Sequence, residues 1–372
     1  MPGTGTDTGT GGGTETAGAT AATEWVPPKK RLVCPVDVTS VAPGTTSVYY
    51  VGTSGQKVTA LSGLQHLAEA LEELCLRSNL IRSLAGIEAL SRLVTLELAD
   101  NQIRTLGPMD LGATCPRLTN LDLSYNQIRR IENIRGLTCL TRLYVANNKL
   151  TTIGMEEGLG SLPASLKRLD LGANRIRRME NLPPSLEQLW LGKNKITEIM
   201  GLGEMDGSLR ILDVQSNRLV ALVAEASSDV GVGAGGEEAS AANSCAPGGE
   251  AVGLELECLA GLEELYLSHN GIGRVQGLTL LTALNTLDLS NNKISILEGM
   301  AQLQALEECW MNDNGVSDFD CVAAQLKPLP KLKTVYLERN PVSKEFGYRK
   351  QLAAMLPTLT QIDASRIPGR RR

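Results

Sequence analysis

The chain has 372 residues, 42% of them apolar, and a net charge of −5, which permits a sizeable core and argues against a nucleic-acid backbone as the main partner. Only 3% of the residues are aromatic, two of them phenylalanine, so aliphatic side chains must do nearly all the packing. The eight cysteines form no CxxC pair and the histidines are two, His66 and His269; zinc spacings are absent, and no metal or other cofactor is expected.

Residues 1–56 are rich in Gly, Thr, Ala and Pro, with too little apolar periodicity to pack, and the composition predicts disorder through most of this segment. It has no apolar signal region, and no run of eighteen apolar residues occurs anywhere, which reads as an intracellular, soluble, reduced protein. A partial repeat follows from about Val58 to Leu67.

From Leu71 onward the frame LxxLxLxxNx(I/L/V) recurs eleven times. It begins with LEELCLRSNLI from Leu71 and LVTLELADNQI from Leu93, and ends with LEECWMNDNGV from Leu306 and LKTVYLERNPV from Leu332. The frame asparagines are Asn79, Asn101, Asn126, Asn148, Asn174, Asn194, Asn217, Asn270, Asn292, Asn314 and Asn340, most of them 20 to 26 residues apart. That is the leucine-rich repeat period, and the fold expected is an α/β repeat: a leucine-rich repeat solenoid with a curved parallel sheet on its concave face and a C-terminal cap. Eleven strands would make a sheet roughly 50 Å long at one strand spacing each. The asparagines are read as structural, bonding backbone groups that the turn leaves unpaired. The later apolar pairs, such as Ile128 with Ile131 and Ile176 with Met179, are read as core.

The fold leaves one slot free. Side chains alternate along a strand, so the x between the two leucines of LxL must face out of the concave sheet. In chain order that slot holds Cys75, Glu97, Asp122, Tyr144, Asp170, Trp190, Asp213, Tyr266, Asp288, Trp310 and Tyr336. The chain has 2 Phe, 3 Trp and 7 Tyr, so eleven random positions should hold fewer than one aromatic, yet this row holds five. Acids alone would be weak evidence, since an Asp in LDLS occurs in repeats of many functions. Rings in nearly every second repeat, rimmed by carboxylates, fit a face for a protein partner that presents basic residues between apolar pits. Two residues upstream, Glu73, Glu264 and Glu308 add acid to the face, while Arg142 and Arg168 interrupt it. The partner-binding set is Asp122, Tyr144, Asp170, Trp190, Asp213, Tyr266, Asp288, Glu308, Trp310 and Tyr336.

The step from Asn217 to Asn270 is 53 residues, about 30 more than one repeat, and the excess is a Gly, Ala and Ser-rich flexible insertion at about 223–252. The repeats are expected to span 57–342 and the sheet to continue across the insertion. A cap at 343–365 follows, in which Lys344 to Leu356 forms an amphipathic helix with Phe346, Leu352, Met355 and Leu356 inward. Residues 366–372 form a basic tail that, with the basic cluster at 29–31, is compatible with nuclear targeting but is more simply a solvated terminus. No Cys/His dyad, nucleophile elbow or phosphate-cradling glycine loop stands at a meaningful spacing, and the chain is read as non-enzymatic.

The runs GKNKIT from Gly192, LYLSHNGI from Leu265, CWMNDN from Cys309, TVYLERNP from Thr334 and YRKQLAAMLPTLTQID from Tyr348 resemble the leucine-rich regulatory subunit 7 family of protein phosphatase 1. The resemblance covers roughly residues 57 to 365. It implies a non-catalytic subunit that holds the type-1 serine/threonine phosphatase catalytic subunit on the concave face. It also implies residence in nucleus and cytoplasm, and room for a small phosphatase inhibitor in a ternary complex; nucleic acid and membrane are not among the implied partners. The family's contact positions match Asp122, Tyr144, Asp170, Trp190, Asp288, Glu308, Trp310 and Tyr336 here. Animal members carry Phe at the positions of Tyr144 and Trp190 and Glu at that of Asp170, which keeps the chemical class but not the size. The short basic-Val-x-Phe/Trp peptide of many phosphatase regulators is missing, since the residues two before Trp25, Trp190, Trp310, Phe319 and Phe346 are Thr, Gln, Glu, Ser and Lys. The alternative is a scaffold of similar repeats for another protein, such as an axonemal dynein heavy chain or a spliceosomal protein.

Overall fold

A computed structural model describes residues 40–53, 55–153, 162–205, 207–222 and 256–370. The unit from Leu32 onward is built on one sheet. Its strands are β1 (Ser47–Tyr49), β2 (Glu73–Cys75), β3 (Thr95–Glu97), β4 (Asn120–Asp122), β5 (Arg142–Tyr144), β6 (Arg168–Asp170) and β7 (Gln188–Trp190). They continue as β8 (Ile211–Asp213), β9 (Glu264–Tyr266), β11 (Thr286–Asp288), β13 (Glu308–Trp310), β14 (Thr334–Tyr336), β15 (Gln361–Ile362) and β16 (Ser365–Arg366). All neighbours pair in parallel except β15 with β16, which close the sheet as an antiparallel hairpin. The connections carry little regular structure: helices α1 (Leu111–Thr114), α2 (Phe319–Leu326) and α3 (Tyr348–Met355), and a small parallel pair, β10 (Arg274–Val275) with β12 (Ile296–Leu297).

Each strand of the main sheet from β1 to β14 is three residues long, one inward residue flanked by two outward ones. The middle residue of every strand from β2 to β14 in the main sheet, Leu74 through Val335, is at most 1% exposed. Cys309 and Val335 take the leucine's place without opening the core. The strand is then stopped by a turn whose first corner is left-handed. The residue before every frame asparagine, from Ser78 to Arg339, has φ between 52° and 59°, a conformation that costs a non-glycine residue ~1 kcal/mol or more.

The asparagine offsets that cost. Asn126 is typical: its Nδ2 donates to the carbonyls of Leu123 (3.0 Å), Ser124 (3.1 Å) and, one repeat back, Leu98 (3.0 Å), while its Oδ1 accepts the N–H of Ile103 at 2.9 Å. In all eleven repeats Oδ1 accepts a backbone N–H of the preceding unit, beginning with Val58 on Asn79 and ending with Val316 on Asn340. The column is therefore a continuous ladder that locks each turn to its neighbour.

The sheet does continue past the insertion: β8 pairs with β9, Ile211 opposite Glu264, and Asn270 reaches back to Val214 and Leu219 at 3.0 and 3.1 Å. The insertion itself, and residues 1–39, lie outside the described residues.

Three expectations need correction. The ordered part begins before residue 57, because Ser47–Tyr49 forms β1 and Val48, with 0% exposure, fills the inward slot without any leucine frame around it. At the other end Phe346 is 97% exposed instead of inward. Gly347, at φ +74°, breaks the backbone just before α3, so the helix phase starts at Tyr348, which takes the inward place with Leu352 and Leu356. Third, Arg370 is not simply solvated, since its guanidinium donates to the carbonyls of Ala353 (2.6 Å), Leu356 (3.0 Å) and Leu359 (2.8 Å), at and just beyond the end of α3.

Candidate functional site

Register decides whether the outward residues meet. Cys75 lies opposite Glu97, Glu97 opposite Asp122, Asp122 opposite Tyr144, and Tyr144 opposite Asp170. The same offset carries on through Trp190, Asp213, Tyr266, Asp288, Trp310 and Tyr336. Nine of the ten expected contact residues thus stand in one lateral row at one strand spacing per step, and Glu308 stands in the neighbouring row with Glu73, Arg142, Arg168 and Glu264. The rings of Tyr144, Trp190, Tyr266, Trp310 and Tyr336 are all half-buried, none of them in the core.

The acids are less exposed than their outward direction suggests. Asp213 and Asp288 are 7% and 8% exposed, and a local bond explains how buried carboxylates are tolerated. Asp122, Asp170, Asp213 and Asp288 each accept the backbone N–H two residues on, at 2.8 to 2.9 Å. An Asp at this slot thus has a structural role that a ring cannot take. Asp213 also accepts Gln215 Nε2 at 3.0 Å. Burial still dominates: it pushes the Asp170 carboxyl up, and the Asp213 carboxyl up to about 6, with Asp170 and Asp288 adding repulsion.

The rings at the C-terminal end interact. Trp310 stands 6.4 Å from Tyr266 on one side, tilted 50°, and 6.4 Å from Tyr336 on the other, edge-on at 79°, so Asp288 lies on the strand between two rings. Tyr266 donates to Glu264 Oε2 at 2.8 Å, and Tyr336 Oη accepts Gln361 Nε2 at 2.9 Å. The indole N–H of Trp310 is buried and has no hydrogen-bond partner among the described residues. Beside this cluster opens a hollow of about 370 Å³ walled by Glu308, Trp310, Thr334, Tyr336, Gln361 and Arg366, among others. In the middle of the row, burial raises the Tyr144 hydroxyl while Arg142 and Arg168 pull it the other way.

Two features escaped the sequence reading. Tyr49 extends the row by one strand, opposite Cys75, and its hydroxyl donates to Glu73 Oε2 at 2.5 Å. The in-out alternation of SVYY around Val48 was the available signal. Next to it, Cys75 Sγ donates to Glu97 Oε2 at 3.3 Å; burial, first, and the Glu97 charge push this thiol up to about 12, so it stays protonated.

Comparison with known proteins agrees with the architecture. The family pattern described as Leucine Rich repeats (2 copies) matches residues 116–161 and 261–302. Protein phosphatase 1 regulatory subunit 7 of Xenopus tropicalis is 49% identical over 41 residues, 11% of this chain and 12% of that protein. Its Mus musculus counterpart is 45% identical over 51 residues, 14% and 13% respectively. The matched stretches thus span about an eighth of those relatives. Among solved structures, an internalin, InlF, from Listeria monocytogenes superposes with a TM-score of 0.60 at 20% identity, covering 87% of each chain. The functional domain of InlJ from the same organism gives 0.57 at 21%, covering 80% of this chain and 54% of that one. The chain is a leucine-rich repeat solenoid, similar over short stretches to the phosphatase regulatory subunits.

Proposed function

We propose that this chain is a non-catalytic regulatory subunit that binds the catalytic subunit of a type-1 serine/threonine protein phosphatase across its outward row. The observation that carries the reading is the unbroken register of alternating acid and ring from Asp122 to Trp310. Short-stretch similarity to proteins named as phosphatase regulatory subunits gives the partner's class.

In this reading the rings supply affinity. Half-buried Trp and Tyr side chains are already restrained by their neighbours, so little freedom is lost when a partner covers them, and each is worth ~2 kcal/mol or more at an interface centre. The carboxylates speed encounter with basic residues and set orientation more than they add net affinity. Because docking uses a folded face, no short linear phosphatase-binding peptide is needed. A small phosphatase inhibitor could then share the complex, and the complex would reside in nucleus and cytoplasm.

The test is recovery of partners from lysate by the tagged chain, with Trp310→Ala/Tyr336→Ala as the comparison. Recovery of the type-1 catalytic subunit by the parent and its loss in the variant, with melting temperature unchanged, supports the reading. Recovery of a dynein heavy chain or a spliceosomal protein in its place overturns it in favour of the other scaffold roles.

A further inference from the structure

The two edges of the sheet differ in how their charges are paired. On the leading edge, just before the strands, cations meet anions of the adjoining repeat: Arg92 with Glu72 (3.7 Å), Lys167 with Glu187 (3.3 Å), Arg210 with Glu263 (3.8 Å) and Lys333 with Glu307 (2.6 Å). The trailing edge, just after the asparagines, is different. Of the residues one, three and four places after the first seven asparagines, ten are Lys or Arg and one, Glu198, is acidic. Among the described residues none of these ten cations has an ion pair.

The fold stacks these cations. The backbone N–H groups of Lys149, Arg175, Lys195 and Arg218 each donate, at 2.8 Å, to a carbonyl of the preceding repeat: Ile128, Leu150, Ile176 and Ile196. Four consecutive repeats therefore present a basic side chain at one strand spacing, and Arg129, Arg177 and Arg178 run beside them, all three exposed. From Arg82 to Arg218 the strip crosses six steps, ~30 Å at ~4.8 Å each. Arg82 donates to Gln102 Oε1 at 3.2 Å, but like charges held this close repel one another, so a strip whose cations have no ion pair among the described residues adds little to the fold itself.

We infer that this trailing edge docks an acidic polypeptide segment of a partner, rich in Asp and Glu and lying across the first seven repeats. Eight of the ten cations are arginine, whose planar fork matches carboxylates in pairs and is less strongly hydrated than an ammonium. About nine extended residues span the strip. Four of the eleven other residues at these positions are threonine, Thr105, Thr151, Thr152 and Thr197, all exposed. A bilayer surface would call for apolar anchors all along the cations, whereas the exposed large aliphatic side chains at these positions, Leu80 and Val220, stand at the two ends of the strip; a single nucleic-acid strand calls for a series of stacking rings, of which this edge carries one, Tyr125. This surface is separate from the outward row.

The test is fluorescence anisotropy of the full-length chain with a labelled oligoglutamate of about twenty residues, which spans ~65 Å when extended. The parent should bind it at low salt and release it as salt rises from about 0.05 to about 0.3 M. Combined Arg129→Glu, Arg177→Glu, Arg178→Glu and Arg218→Glu should weaken binding at least about tenfold with melting temperature kept, whereas Trp310→Ala/Tyr336→Ala should leave it unchanged. The inference is overturned by no binding, by equal binding to the charge-reversed variant, or by tighter binding of a uridine oligonucleotide or phosphatidylserine vesicles. Failure here leaves phosphatase recovery untouched, and the reverse also holds.

Discussion

The asparagine column and the outward row lie four residues apart in every repeat, and they obey different rules. From Asn101 onward the surroundings of the asparagine are the same each time: three carbonyls to donate to, one N–H to accept, and a left-handed corner just before it. One side chain meets all of these, so the column is uniform. Four residues earlier the backbone asks only that the side chain point outward, and there the chain places carboxylates and rings. Uniformity marks what the solenoid needs, and departure from solvated polar residues marks what it does not need. The comparison also divides the row itself, since the Asp members bond their own turn while the rings have no such backbone duty.

The comparison can be broken most severely at the column. Asn126→Ala leaves the Ile103 N–H unpaired in a buried turn and takes one of two donors from each of the carbonyls of Leu98, Leu123 and Ser124, and should destabilise by ~1–3 kcal/mol in calorimetric unfolding; a variant as stable as the parent would remove the ladder from the account. The row can be sharpened with Asp213→Asn, which keeps an acceptor for the Gln215 N–H. The sign follows from the raised carboxyl. Near pH 4 and below the folded chain holds the Asp213 proton and gains from doing so. As pH rises from about 4 to about 6 the unfolded chain ionises first, and that stability is lost. The variant should therefore be more stable than the parent at pH 7, by ~1–3 kcal/mol, and no more stable below pH 4. Equal melting at both pH values would show that Asp213 ionises freely.

Smaller effects probe the corner and the exposed end. Ala173 adopts φ 53°, so Ala173→Gly should cost nothing and gain ~0.5–1 kcal/mol as the left-handed strain is relieved. Destabilisation would mean that the asparagine ladder already enforces this corner at no strain. Phe346→Ser should change stability by less than about 0.5 kcal/mol in urea unfolding, because the ring packs against nothing.

Much of this was legible in advance because the repeat frame is long and regular. The leucines of LxL locate eleven strands, and alternation alone sends Tyr144, Trp190, Tyr266, Trp310 and Tyr336 outward. What stayed hidden has physical reasons. β1 rests on a single inward valine, Val48, outside the frame. Phe346 belongs by periodicity to the helix, but a left-handed Gly347 resets the phase. Arg370 reads as a free charge until the carbonyls of Ala353, Leu356 and Leu359 are seen around it. The burial of Asp213 and Asp288 depends on side-chain-to-backbone bonds and on flanking rings, neither of which a linear pattern displays.

The most direct measurement is photo-crosslinking to the purified type-1 phosphatase catalytic subunit from a reactive residue placed at Tyr336, in the row, or at Leu280, which is 47% exposed on a connection behind the sheet. A covalent product from Tyr336 and none from Leu280 is the result expected if the outward row is the docking face. A product from Leu280 alone would contradict it.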